Sequence, residues 1–295
     1  MEGTKIKNII IIILLLLNGF LLVPVGGRRV QNARSQDAAL NGAVEILRDS
    51  GIVLEEDAVP READLPVLRA SRDLLLEQEQ VARLLGDGVT AQARGGEVYR
   101  YESELGWLQF HSTGEFLAEF EPEAFPVGEE DVVRHAARLL SQLTFDGRVS
   151  QKLEVGGAEH SDWSITFVQT LDGALVLDRQ VTLHYLNGSL VSLSGRRVPG
   201  QPVLTGERSA VSAATALMRL YNGLNELGDV YNRIQTIEPA YRLSVSLSDP
   251  VRLIPAWYVK TDTGEYSMEL QSGQVSRMGG TAVPAAQADQ VMKES

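Results

Sequence analysis

The sequence predicts an α+β protein, with an N-terminal transmembrane helix followed by two or three units, each a helix packed on a short antiparallel meander. Three observations predict this fold class. An almost unbroken apolar run extends from Ile9 to Val25. Beyond it, stretches with helical spacing of apolar residues alternate with stretches that have a two-residue period. Within these last stretches, Asp172-Gly173 and Asn187-Gly188 are dipeptides that favour hairpin turns.

The composition limits both fold and function. A chain of 295 residues with 44% hydrophobic content can bury a sizeable core and is long enough for two or three subdomains. The formal net charge of -12 argues against nucleic acids and anionic membrane surfaces as partners, because binding to either needs clustered positive charge. The absence of cysteine excludes disulfides, thiolate nucleophiles and cysteine-based metal sites.

The N-terminus predicts a single-pass protein of the cell membrane. At about 1.5 Å per residue, a helix over residues 9–25 approaches the thickness of a bilayer core. The alternative is a cleaved signal peptide, with Lys5 and Lys7 as its basic region and small residues at 25–27 as its cleavage site. An anchor is favoured because the apolar run is longer than most signal-peptide cores and no Ala-x-Ala box follows it. Residues 1–8 are then a cytoplasmic tail and the body lies outside the cytoplasm, an orientation that basic residues on both flanks leave undecided by charge.

Three residues of the apolar run carry a partner-contact hypothesis. The amide of Asn18 can hydrogen-bond across a pair of helices, and Gly19 allows close approach of the two backbones. Together with Phe20, they would contact the membrane helix of a partner. The alternative is that Asn18 lies near the outer interface and is tolerated there.

The first elements beyond the membrane form a helix, a linker and the first unit. Residues 26–64 hold a membrane-proximal helix, Val30 to Asp49, whose apolar residues share one face. The first unit, residues 65–125, begins with a helix from Leu68 to Leu85 that ends at glycine. Three strands follow, at Val98 to Tyr101, Leu105 to His111 and Glu115 to Phe120.

The second unit, residues 126–200, has the clearest pattern. Glu129, Glu130 and Asp131 place carboxylates at the positive end of a helix with an apolar face from Val132 to Leu143. The two hairpin dipeptides then divide the next stretch into a meander of three strands. Trp163, in the first of these strands, is assigned a structural role.

The third unit, residues 201–281, opens with a helix from Ser209 to Tyr221 and closes with hairpins. Pro255 cannot donate to a strand ladder, so its strand is predicted at a sheet edge or a bulge. Trp257 is expected to pack on a helix, and stacking on a ligand is the alternative. Residues 282–295 are expected to form a loose tail and are assigned no role.

The order of these elements resembles one known family. A helix followed by "ITFVQTLDGALVLDRQVTLHYLNGSLVSL", and a second helix followed by "LIPAWYVKTDTGEYSMELQSGQV", behind a single N-terminal span, look like the YycI/YycH family of membrane-anchored regulators. Similar strands occur in PepSY-type domains. The resemblance extends from Lys5 to Arg277. It implies an extracytoplasmic, non-enzymatic protein without a cofactor that modulates a sensor histidine kinase of cell-wall metabolism by contact. It also implies that a homologous regulatory protein could join it as a heterodimer.

The sequence contains no familiar catalytic signature. Nucleophile-elbow, Ser-x-x-Lys, His-Glu-x-x-His, Walker and dinucleotide-binding motifs are all absent. The four histidines lack metal-ligand spacing and are expected to be structural: His111, His135, His160 and His184. Seven carboxylates cluster in one stretch, which is expected to be a solvated linker and helix start: Glu115, Glu119, Glu121, Glu123, Glu129, Glu130 and Asp131.

Three functional classes therefore stay open. The leading one is a regulator that biases the two-state equilibrium of a membrane partner. The second is a PepSY-like inhibitor or ligand-binding module that acts without residues 1–27. The third is an envelope hydrolase that uses the acidic cluster, since paired carboxylates serve glycosidases and hard-metal sites.

Overall fold

A computed structural model describes residues 35–55, 58–60, 64–86, 88–128, 131–155, 162–209, 211–244 and 250–279. The predicted span at 9–25 and the predicted tail at 282–295 lie outside these residues. Within the described ranges, no helix is both long enough and apolar enough to span a bilayer. The fold in these ranges is a mixed α+β structure of helices packed on a large sheet.

Four helices are present among the described residues: α1 (35–49), α2 (Leu74–Leu85), α3 (Val132–Gln142) and α4 (Ala213–Glu226). Each of the last three begins at a capping side chain. The carboxylate of Asp73 accepts hydrogen bonds from the amides that open α2, Asp131 does the same for α3, and the hydroxyl of Ser212 caps α4. These caps satisfy backbone donors that have no partner inside the helix.

Two predicted helix boundaries are wrong. The helix predicted from Leu68 begins at Leu74, because the preceding residues form a strand and Asp73 caps the helix after it. The helix predicted from Ser209 to Tyr221 runs from Ala213 to Glu226, because Ser212 supplies its cap. In both cases the hydroxyl or carboxylate side chain, and not the apolar pattern, sets the first turn.

Fifteen strands of the described residues join one hydrogen-bonded sheet. They are β1 (Val53–Leu54), β2 (Pro66–Ala70), β3 (Thr90–Gly95), β4 (Val98–Ser103), β5 (Gly106–Phe110), β6 (Glu115–Phe120), β7 (Gly147–Glu154), β8 (Trp163–Leu171), β9 (Ala174–Leu186), β10 (Ser189–Arg196), β11 (Val203–Arg208), β12 (Arg233–Ser244), β13 (Val251–Thr261), β14 (Glu265–Glu269) and β15 (Val275–Arg277).

The main path of the sheet has the order β11-β2-β13-β12-β9-β10-β6-β5-β4-β3. The predicted three-strand meander is present as β8, β9 and β10, with antiparallel pairing throughout. Strand β9 also pairs in parallel with β12, and this contact joins the meander to the C-terminal strands. Strand β2 lies far from its neighbours in sequence, between β11 and β13.

The predicted edge position of Pro255 is wrong. Its strand, β13, is internal: β12 pairs with one side, and β2 and then β14 pair with the other. The β2 pairing ends at Leu253 and the β14 pairing begins at Ala256, so Pro255 lies at the change of neighbour. Its carbonyl accepts from the Leu270 amide on the β14 side. The proline nitrogen points to the same side, where no ladder amide is needed.

Two large clusters of buried side chains lie between helices and sheet. The first packs α2 and α3 on β4, β5, β6, β8, β9 and β10. The second packs α1 and α4 on β12, β13 and β14. Smaller clusters lie where β2, β9, β12 and β13 meet, so burial continues across the middle of the sheet.

Tyr231, in the second cluster, predicts an alkaline loss of stability. Its side chain is 6% exposed, its hydroxyl has no hydrogen-bond partner among the described residues, and burial raises its pKa to about 12. An unfolded tyrosine titrates near pH 10, so between about pH 10 and 12 the unfolded chain releases a proton that the folded chain keeps. Stability is therefore full below about pH 10 and falls as pH rises, by about 1.4 kcal/mol per unit for this group.

We expect Tyr231→Phe to flatten that fall without loss of stability at neutral pH, because no group of the described ranges hydrogen-bonds to the buried hydroxyl. Urea unfolding at pH 8, 10 and 11 measures both effects. Tyr221→Phe is the control, since the exposed hydroxyl of Tyr221 hydrogen-bonds to Ser50. Equal pH dependence in the two variants would contradict the assignment.

Candidate partner-binding surface

Helix α1 is part of the folded body. The side chains of Ala43 and Leu47 are buried, and they share a cluster with Leu217 and Leu220 of α4. Helix α1 is the described helix that lies nearest in sequence to the predicted span.

The chain after α1 strengthens this attachment. The Ile52 amide donates to the Leu47 carbonyl at 2.9 Å and closes the end of the helix. Strand β1 then pairs in parallel with β12, with Val53 opposite Arg233. The Tyr221 hydroxyl of α4 donates to the Ser50 oxygen at 3.1 Å. Helix, turn and strand thus hold the segment 35–55 to α4 and to the start of β12.

A depression of about 440 Å³ lies between α1 and α4. Its lining is small or apolar and contains no charged residue: Ala39, Gly42, Ala43, Ile46, Ala214, Thr215 and Met218. Ile46 is 47% exposed, and a methyl group added at Gly42 would meet no atom within 4 Å. We call this feature the α1–α4 depression. Its chemistry suits apolar side chains of a partner helix better than it suits an ion or a nucleotide.

The three residues of the partner-contact hypothesis, Asn18, Gly19 and Phe20, lie outside the described residues. The α1–α4 depression is a surface that the sequence did not predict. A helical wheel does show its α1 half, because Ala39, Gly42 and Ile46 recur at intervals of three and four. The α4 half could not be assigned to the same surface from sequence, since it requires the packing of the two helices.

The predicted acidic cluster does not converge on one point. Glu115 and Glu119 lie on β6, where Glu119 accepts from the Trp107 indole at 3.2 Å. Asp131 caps α3 through amides at 3.0 and 3.3 Å. Glu121 and Glu123 follow β6 in a turn, and residues 129 and 130 lie outside the described part. In the described ranges, no group of three or more acidic or histidine side chains could hold a metal ion.

Three of the four histidines lie in the described residues, and none of these three belongs to a group that could hold a metal ion. His135 is buried on α3, with its Nδ1 atom 3.0 Å from the Tyr185 hydroxyl. The Nε2 atom of His111 is 3.0 Å from the Gln109 amide nitrogen. His184 is exposed on β9. His160 lies outside the described residues.

The two tryptophans assigned a structural role occupy different environments. Trp257 is 1% exposed and belongs to the cluster formed with α1 and α4. Trp163 is half-buried at the start of β8, and the Lys152 ammonium lies 4.4 Å from the centroid of its ring. Neither ring lines the α1–α4 depression.

A buried charge network lies beneath α2. Arg72 donates to both carboxylate oxygens of Glu77, from Nε to Oε1 at 2.9 Å and from Nη2 to Oε2 at 2.8 Å. Arg197 lies on the other side, with its Nη2 atom 3.9 Å from Glu77 Oε1. Its Nη1 atom donates to Gln80 Oε1 at 2.6 Å and to the Leu143 carbonyl at 3.1 Å.

The position of this charge network, between helices and sheet, indicates a structural role. Arg197 is buried against the ring of Phe110, 4.3 Å from its centroid, and burial lowers its pKa to about 10, although the carboxylate of Glu77 raises it. The network connects α2, the end of α3 and the segment that follows β10. Because Glu77 and Arg197 are buried, these two charges are not accessible to a partner.

Comparisons with known proteins show only distant similarity. No protein-family model matches the sequence, and no curated protein matches it. An uncharacterized protein from Eubacterium rectale has 9% identity and a TM-score of 0.43, over 77% of this chain and 90% of that chain. The YpeB C-terminal domain of Bacillus megaterium has 12% identity and a TM-score of 0.33, over 72% of this chain and 100% of that chain. Similarity at this level does not identify a function.

Proposed function

We propose that this chain is a non-enzymatic, membrane-anchored extracytoplasmic regulator that modulates a sensor histidine kinase by contact through its membrane helix and its outer domain. The observation that carries the proposal is the burial of Ala43 and Leu47 of α1 within the core formed with α4. A helix that shares the core of the body cannot move independently of it, so a contact made near the membrane is transmitted to the folded domain.

The α1–α4 depression supplies the outer part of the contact. Its small side chains allow a partner helix to approach closely, and Ile46 and Met218 offer apolar surface at its sides. Regulation then requires that the partner's two signalling states present different surfaces to this depression, because only a difference in affinity shifts an equilibrium.

Affinity isolation from solubilised membranes tests the proposal. Three forms of the full chain are compared: the natural sequence, a form with residues 6–25 replaced by an unrelated membrane helix, and Gly42→Leu. The last form adds an isobutyl group where an added methyl group has free space, so the helix stays intact while the depression is filled. Co-purified proteins are identified by mass spectrometry.

We expect the natural chain to recover a histidine kinase, and both altered forms to recover at least about tenfold less, equivalent to about 1.4 kcal/mol of binding free energy. Asn41→Leu is the matched control, because it adds the same side chain at an exposed α1 residue beside the depression. Equal loss with Asn41→Leu would indicate a general defect. Recovery of no kinase by any form would overturn the proposal and favour a PepSY-like inhibitory or ligand-binding module of the cell envelope.

A further inference from the structure

One edge of strand β7 lacks a neighbouring strand in the part of the chain that the structure describes. Among the described residues it pairs only with β8, and all eight of its residues are exposed. Leu153 is 42% exposed and the following Val155 is 69% exposed. An exposed strand edge with apolar side chains is a template for pairing with another chain.

The hydrogen bonds to β8 show which backbone groups face outward. The Val155 amide donates to the Asp162 carbonyl at 2.8 Å, so the backbone groups of Val155 point toward β8. Because these directions alternate along an antiparallel strand, those of Leu153 also point toward β8. The N–H and C=O groups of Lys152 and Glu154 therefore point to the free edge.

The side chains of these residues are complementary to a second copy of themselves. In the pairing with β8, Lys152 is opposite Ile165 and Glu154 is opposite Trp163, which places both charges on one face of the sheet. Leu153 lies between them on the other face. In an antiparallel pairing centred on Leu153, each Lys152 is opposite Glu154 of the second copy, and the outward backbone groups of both residues meet as hydrogen-bonded pairs.

We propose that two copies of this chain associate through β7, in antiparallel register about a two-fold axis at Leu153. The segment Gln151 to Val155 then joins the two sheets, with two Lys152–Glu154 pairs on one face and Leu153 against its own copy on the other. The contact is short, so the dimer is weak in dilute solution and is favoured by confinement of the chains at high local concentration.

The charges select this register. A shift by one residue in each copy toward the N-terminus would bring Lys152 opposite itself, and the reverse shift would bring Glu154 opposite itself. Lysine on an edge strand ordinarily discourages pairing, but here Glu154 of the second copy neutralises it. The register shift of β7 against β8 between Val149 and Gln151 interrupts the regular strand just before the paired segment.

Disulfide formation at the axis tests the geometry. The chain has no cysteine, so Leu153→Cys introduces a single thiol. Facing residues of a non-hydrogen-bonded antiparallel pair have Cα atoms about 4.5 Å apart, which a disulfide can bridge. We expect Leu153→Cys in the full chain, in membranes under mild oxidation, to form covalent dimers at least about tenfold faster than Val203→Cys, a control on the exposed edge strand β11.

Charge exchange tests the register. In the Leu153→Cys background, Lys152→Glu or Glu154→Lys should slow cross-linking about tenfold, because each change makes both cross-strand pairs repulsive. The double variant K152E/E154K should restore the rate, and so should a mixture of the two single variants. Cross-linking that is no faster than the Val203→Cys control, or that is unaffected by the charge changes, would overturn the proposal. The kinase-recovery experiment is unaffected by either outcome.

Discussion

Replacing Glu77 with alanine is expected to lower the free energy of unfolding by about 3–5 kcal/mol, the range for removal of one partner from a buried ion pair. The carboxylate of Glu77 lies between two guanidinium groups, those of Arg72 and Arg197. Its removal leaves the buried cation of Arg197 and the partly buried cation of Arg72 close to each other, without the anion that compensates their desolvation. Urea unfolding followed by tryptophan fluorescence measures the loss.

Glu115→Ala is the matched control for this change. Glu115 also pairs with an arginine, Arg196, but at 4.0 Å and with both side chains exposed. Exposed pairs of this kind contribute about 0–1 kcal/mol, so this variant should unfold close to the natural chain. If Glu77→Ala and Glu115→Ala lose similar amounts of stability, the buried network does not hold α2 as described.

Replacing Trp257 with alanine is expected to cost about 3–5 kcal/mol, because it leaves a large cavity in the core shared by α1, α4 and β13. The same change should loosen α1, whose Leu47 belongs to that core. Hydrogen exchange of the α1 amides, together with urea unfolding, reports both effects. Protection of α1 should fall more than protection of α3, which packs in the other large cluster.

Trp163→Ala provides the comparison. Its indole is half-buried and lies against the Lys152 side chain at the end of the sheet. Truncation there exposes little and leaves a site that solvent can fill, so the loss of stability should be clearly smaller than at Trp257. A larger loss at Trp163 would contradict the assignment of the main core contact to Trp257.

Strands that alternate apolar and polar residues could be predicted from sequence, whereas strands that lie at exposed edges could not. The meander of β8, β9 and β10 shows both the alternation and the hairpin dipeptides. In contrast, β3 and β7 are exposed along their whole length and have no buried face to impose a period. These segments are strands because neighbouring strands pair with them, and such pairing leaves no periodic pattern in their own sequence.

The sequence contains a signal for the buried charge network. Glu77 lies four residues before Val81, and Gln80 lies four residues before Leu84, which places both polar residues on the apolar face of α2. Arg196 and Arg197 are adjacent at the end of a strand, where neighbouring side chains point to opposite faces. One of the two arginines is therefore expected to face the interior. Glu77 and Gln80, on the apolar face of α2, are the polar residues that could pair with it.

The α1–α4 depression and the position of Pro255 depend on tertiary packing. A proline requires a place where its strand needs no backbone N–H donor. Such a place exists at a sheet edge, and it also exists inside this sheet, where β2 gives way to β14 beside β13. The depression needs two helices separated by most of the chain. No local sequence pattern distinguishes an internal from an edge position for Pro255, and none shows that α1 and α4 form one depression.

The position of β2 affects how the protein can fold. Leu68 pairs with Leu204 of β11 and with Leu253 of β13, so this strand has no partner until most of the chain has been synthesised. Closing such a long loop costs conformational entropy before the contacts of β2 can form, and contacts between residues so far apart in sequence slow folding. Strands β1 and β2 must wait for the C-terminal strands to arrive, whereas β3 to β6 can pair locally as hairpins. Completion of the sheet is therefore a late event, because β2 can be enclosed only after the C-terminal strands have been synthesised.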